Sequence, residues 1–169
     1  MTTSETLAPR RWDIFCAVID NFGDIGICWR LARQLAAEHS VQVTLWVDDL
    51  NSFQKICAEI NPAKTRQQVA AVRIRHWLSD INWAAEPVAE VVIEALACTI
   101  PLAYQQQMAL QQQKPLWLNL EYLSAEDWVH GCHGLASPQQ GLSLNKYFFF
   151  PGFTEQTGAL LRERDLVQR

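Results

Sequence analysis

Two carboxylates four residues apart, Asp20 and Asp24, bracket Gly23 in the run Asp20-Asn21-Phe22-Gly23-Asp24-Ile25-Gly26. An ionised aspartate is a pure acceptor, able to hold a planar guanidinium through two parallel hydrogen bonds or to take a proton as a new bond forms. Gly23 and Gly26 serve a different chemistry. They let backbone approach a ligand closely, and a helix starting here would offer unpaired N–H groups and a partial positive charge to an anionic group such as a phosphate. The G-x-x-G pair alone is weak evidence, and the full dinucleotide fingerprint is missing. Asp24 also stands where it could cap the following helix by accepting a backbone N–H one turn in. Asp20 comes directly after an apolar run and is expected to be held by the end of a strand, pointing into a crevice.

Such a loop needs elements to position it. Apolar runs of strand length alternate with stretches of helical periodicity. This pattern predicts an α/β fold: a Rossmann-like parallel sheet with helices on both faces. Strands are expected at 12–19, 41–47, 72–77, 91–96, 114–123 and 146–153. Ile27, Leu31 and Leu35 place an apolar stripe on a first helix ending near His39, and further helices are expected at 50–58 and 101–113. In an open parallel sheet ligands collect outside the carboxyl ends of the strands, where the 20–26 loop falls. Residues 1–11 are expected to form a flexible tail and 12–153 the domain. Residues 154–169, with Arg162, Glu163, Arg164 and Asp165, are expected to form a charged helical tail leading to a second domain.

The 169 residues are 49% hydrophobic with a net charge of -4. That supplies one globular core and no basic excess, so neither nucleic acid nor a membrane is an expected partner, and a cytoplasmic location is expected. The five cysteines are scattered without a Cys-x-x-Cys pair and are expected to be reduced thiols. His130, Cys132 and His133 have metal-ligand chemistry but lack a further ligand at recognisable spacing, so the segment reads as a loop and no metal is expected. The run Phe148-Phe149-Phe150 reads as core. Arg30 and Arg33 could face phosphates, or only solvent.

The run 20–36 (DNFGDIGICWRLARQLA), with 91–98 (VVIEALAC), 115–126 (PLWLNLEYLSAE), 137–139, 146–148 and 161–165, resembles the N-terminal half of the protein-arginine rhamnosyltransferases that modify translation elongation factor P. The resemblance implies the N-terminal domain of a GT-B glycosyltransferase. It also implies inverting transfer from dTDP-β-L-rhamnose, bound mainly by an absent C-terminal domain, to an arginine of elongation factor P, with no other cofactor. The family's essential aspartates correspond to Asp20 and Asp24, and Asp20 is expected to be the base.

Arginine has a pKa near 13.8 and aspartate near 3.9, so full deprotonation before attack would cost about 14 kcal/mol. The carboxylate must instead align the guanidinium and take the proton as the C–N bond forms. Candidates for a second acid on the acceptor are Asp24, Glu94 and Glu121, and the Tyr122 ring could stack on the cation. Glu121 could equally pair with a core arginine such as Arg30. Two other functions compete: an isolated module that docks elongation factor P without turnover, and the N-terminal half of another GT-B enzyme of heptosyltransferase type.

Overall fold

The computed structural model describes residues 10–20, 22–164 and 166–167. Its elements are β1 (Arg11–Cys16), α1 (Gly23–Glu38), β2 (Gln42–Val47), α2 (Leu50–Ile56), β3 (Arg66–Val69), β4 (Val72–His76), β5 (Val91–Ala95), α3 (Leu102–Leu110), β6 (Leu116–Leu120), β7 (Ala136–Gln139) and β8 (Leu144–Phe149). The strands form one sheet in the order β3-β4-β2-β1-β5-β6-β8-β7. Every neighbouring pair from β4 to β8 is parallel, and the edge strands β3 and β7 are antiparallel. Without its edges this is the doubly wound order, which reverses between β1 and β5. The crevice at that reversal is where such sheets bind ligands.

Period-two alternation along β1 divides the core in two. Ile14 and Cys16 pack with Val43, Leu45, Val47 and Ile93 beneath α1, which contributes Ile25, Cys28, Trp29 and Ala32. Phe15 points the other way, into a layer with Trp46, Trp83, Val92 and Trp117 that α3 covers with Tyr104 and Met108. Helices therefore cover both faces. The Ile27, Leu31, Leu35 stripe lies on the flank of α1, half-buried, because the helical period centres the core stripe on residues 25, 28, 29 and 32.

Three segments depart from expectation. β3 and β4 form a hairpin turned by Ala70 (φ 47) and Ala71 (φ 64), a left-handed pair usually built from Asn and Gly. β7 pairs with β8 and carries Pro138, whose missing N–H is tolerated on an edge. The 154–164 segment is turns and irregular chain, not helix. Gly152 and Gly158 exchange backbone bonds with Gly158 and Phe150, and a Cβ at Gly158 would sit 2.4 Å from the Phe149 ring, so the chain doubles back on itself here. It then lies across α1, where Glu163 pairs with Arg30 at 2.8 Å and the Gln34 amide donates to the Arg162 carbonyl. Of the tail expected over residues 1–11, residues 1–9 lie outside the described residues and Arg11 belongs to β1. Among the described residues, no helix is long and apolar enough to cross a membrane.

Asp13 offers a test of the core. It is 5% exposed in the middle of β1 and accepts the Tyr104 hydroxyl at 2.7 Å. Burial pushes its carboxyl from 3.8 up to about 6, against the pull of the Tyr104 bond and the Arg11 guanidinium. The folded state thus keeps a proton that the unfolded chain releases. That contribution is fully present below pH 3.8 and is lost as the pH rises through about 6. Asp13→Asn retains an acceptor for Tyr104 without the ionisation. It should stabilise the protein by up to about 3 kcal/mol near neutral pH and by nothing near pH 4. Denaturant unfolding at the two pH values checks this, and an equal difference at both would contradict it.

Candidate active site

Beyond Cys16 the chain leaves the sheet at the reversal point, and three successive amides are tied to carboxylates. Val18 N–H donates to Asp48 at 2.8 Å, while Ile19 and Asp20 N–H both donate to one oxygen of Asp24, at 3.0 and 2.9 Å. The other Asp24 oxygen accepts the Tyr122 hydroxyl at 2.6 Å, and Asp24 is fully buried. A carboxylate bonded this way is a strong clamp, since hydrogen bonds to charged groups contribute about 1.5–3 kcal/mol each. Asp24 is not a helix cap. It lies inside the first turn of α1, with Phe22 at the cap position, and reaches back to the residues before the helix.

Asp20 stands four residues past the end of β1, so the loop and not the strand holds it. The residue is exposed, and among the described residues its carboxylate has no hydrogen-bond partner. A Cβ at Gly23 would come within 3.3 Å of Asp20 Oδ2, so this glycine makes room for the carboxylate. The Gly23 N–H donates to the Asp20 carbonyl and the Gly26 N–H to the Phe22 carbonyl, both at 2.9 Å, and nothing lies within 4 Å of a Cβ at Gly26. Neither glycine N–H is available to a phosphate. With Asp20, Asp24 and Asp48 around one loop, the local field favours a cation.

β6 delivers the tyrosine. Leu118 and Leu120 face the α1 layer, and alternation carries Tyr122 to the same side, where it meets Asp24. The bond to Asp24, with some desolvation, pushes its hydroxyl up to about 12. Glu121 goes the other way and accepts the Asn119 amide. Glu94 is 2% exposed in the second layer, where it accepts the Trp117 indole N–H at 3.1 Å and the Lys146 ammonium at 3.0 Å. Its charge is compensated inside the core. The structure therefore gathers Asp20, Gly23, Asp24 and Tyr122, and leaves Glu94 and Glu121 outside the group.

Arg30 pairs with Glu163, not Glu121, and Arg33 lies 5.7 Å over the Trp29 ring. His133 Nδ1 accepts the Phe150 N–H at 3.1 Å. Exposed Ile19, Phe22 and Leu123 flank the acids along the chain and form an apolar border.

Two features escaped the sequence. Asp48 closes the loop clamp, and its only signal was an acid at the carboxyl end of a neighbouring strand. Leu96 (φ 55) and Ala97 (φ 63) leave β5 in left-handed conformations at the reversal point, a strain of about 1–2 kcal/mol each, with no Gly or Asn to announce it. A groove of about 370 Å³ lies away from these acids, where α1 meets Glu163, Arg164 and Leu166. Its Arg30 and Glu163 pair with each other, and its Glu38 accepts the Arg164 N–H at 2.9 Å.

The family described as Elongation-Factor P (EF-P) rhamnosyltransferase EarP matches residues 12–169. A protein-arginine rhamnosyltransferase of Pseudomonas putida is 57% identical over 158 residues, 94% of this chain and 41% of the relative. Its namesake in Pseudomonas aeruginosa is 53% identical over 94% of this chain and 41% of its own length. That of Shewanella oneidensis is 50% identical over 98% of this chain and 42% of its own. The chain spans about two fifths of the length of these curated relatives.

Proposed function

The chain belongs to the Elongation-Factor P (EF-P) rhamnosyltransferase EarP family, and from that premise we propose that it is the acceptor-side half of an inverting GT-B enzyme that moves rhamnose from dTDP-β-L-rhamnose to an arginine of elongation factor P. The observation that carries this reading is the exposed Asp20 carboxylate, which has no hydrogen-bond partner among the described residues and sits on the loop that the Asp24 clamp fixes at the reversal of the sheet. The acceptor guanidinium pairs with Asp20 and presents one nitrogen to the anomeric carbon. As the C–N bond forms, the C–O bond to the diphosphate breaks on the opposite face, dTDP leaves with the electron pair, and the nitrogen's proton passes to Asp20. The carboxylate need not deprotonate a resting guanidinium, because the nitrogen acidifies as it bonds to carbon.

The remaining length of the enzyme supplies the donor pocket. The diphosphate belongs with that second half, since the N–H groups of Gly23 and Gly26 are already used. Glu94 has no part in this assignment, and Glu121 at most borders the acceptor. A translation factor as acceptor places the reaction in the cytoplasm.

Full-length enzyme carrying this half, incubated with unmodified elongation factor P and dTDP-β-L-rhamnose, is expected to add the mass of one deoxyhexose to a single arginine. This chain alone is expected to add none, yet to form a weak complex with the factor that calorimetry detects. A stoichiometric mass gain with the chain alone would overturn the division of labour. Absence of any complex at high concentration would overturn its acceptor-side role.

A further inference from the structure

Resting on that assignment of the acceptor, we propose that Tyr122 is a placeholder. In the free protein its hydroxyl occupies the hydrogen-bond position on Asp24 Oδ1 that a guanidinium N–H of the acceptor takes on docking.

The two Asp24 oxygens are not equivalent. Oδ2 holds two backbone amides, Ile19 and Asp20, and cannot give them up without releasing the loop. Among the described residues Oδ1 has one donor, a phenol that is 43% exposed on the irregular segment following β6. That contact covers Oδ1, and Asp24 has no exposed surface. A fully buried carboxylate cannot lose a donor cheaply, so the phenol leaves only in exchange for another donor.

An arginine side chain provides one. Its guanidinium carries several N–H groups in a rigid planar fork, enough to engage Asp20 and Asp24 Oδ1 together. The displaced phenol ring is left with a face on which the planar cation can stack. A lysine ammonium is a compact point charge without that fork, so two carboxylates around one loop select arginine over lysine. Tyr122 thus sets the selectivity threshold, because a ligand must out-compete its hydroxyl before reaching Asp24.

The test is Tyr122→Phe in the full-length enzyme, which keeps the ring and removes the competitor. KM for elongation factor P should fall by about 10- to 150-fold, the equivalent of one hydrogen bond to a charged group, while kcat changes by less than about threefold. Tyr122→Ala, which loses the ring as well, should raise KM. A purely structural tyrosine would lower stability and kcat in Tyr122→Phe without lowering KM, and an unchanged or higher KM overturns the placeholder. Failure of the wild-type enzyme to modify elongation factor P would instead strike the functional assignment beneath it.

Wild-type chain titrated with methylguanidinium gives a readout independent of any variant's folding. The Tyr122 ring and Ile19 amide NMR signals should move, and methylammonium should leave them in place. Equal responses to the two cations, or none to either, would also overturn the proposal.

Discussion

Asp20→Asn in a full-length enzyme carrying this half should lower turnover by about 100- to 10,000-fold and leave the melting temperature unchanged. Asparagine keeps the shape and one acceptor oxygen but loses the charge that aligns a guanidinium and receives its proton. Its effect on folding should be small, because the side chain is exposed and has no hydrogen-bond partner among the described residues. The backbone contribution of residue 20 to the clamp, its N–H bond to Asp24, survives the substitution. Near-normal turnover at unchanged stability would move the base elsewhere, first to Asp24.

Asp24→Ala should fail differently. It removes the acceptor of two backbone amides and of the Tyr122 hydroxyl at a fully buried position. Leaving buried donors unsatisfied costs about 1–3 kcal/mol each. The tyrosine can turn to solvent and the part-buried amides only in part, so a loss of about 1–3 kcal/mol in stability is expected, together with loss of turnover as the Asp20 loop comes free. Asp24→Asn retains an oxygen for the amides and an amide group that can donate to Tyr122, so its stability loss should be smaller. Circular dichroism melts alongside the transfer assay separate the two aspartates. A stable Asp24→Ala protein would show that the clamp does not organise the loop.

The central strands could be read from the chain because parallel strands are buried on both faces and appear as continuous apolar runs, as Val91–Ala95 does with every residue buried. β3 and β7 could not. They are short edge strands with exposed alternate residues, and the Ala70-Ala71 turn lacks the residues that advertise a hairpin. The charged residues of 161–165 suggested helix, but their partners lie far away along the chain: Arg30 for Glu163, and Glu38 for the Arg164 amide.

The same limit applied to the site. The spacing of Asp20, Gly23 and Asp24 marked the loop, since all its parts are local. Glu94 was indistinguishable from a binding acid because Lys146, which neutralises it, lies 52 residues away. Asp48 was hidden beside Asp49, a helix cap that accepts from the Asn51 and Ser52 amides. The Asp24 to Tyr122 bond spans 98 residues, and only the fold, which brings the segment after β6 to the first turn of α1, creates it.

The central claim is that the acceptor arginine docks between Asp20, Asp24 and Tyr122, and amide NMR of the isotope-labelled chain tests it most directly. Unmodified elongation factor P should move the signals of Ile19, Asp20, Gly23 and Tyr122. Replacing the factor's acceptor arginine by alanine should abolish those shifts while sparing others at the border of the complex. Shifts confined to the Arg30, Gln34 and Glu163 groove, or loop shifts that persist without the arginine, would contradict the account.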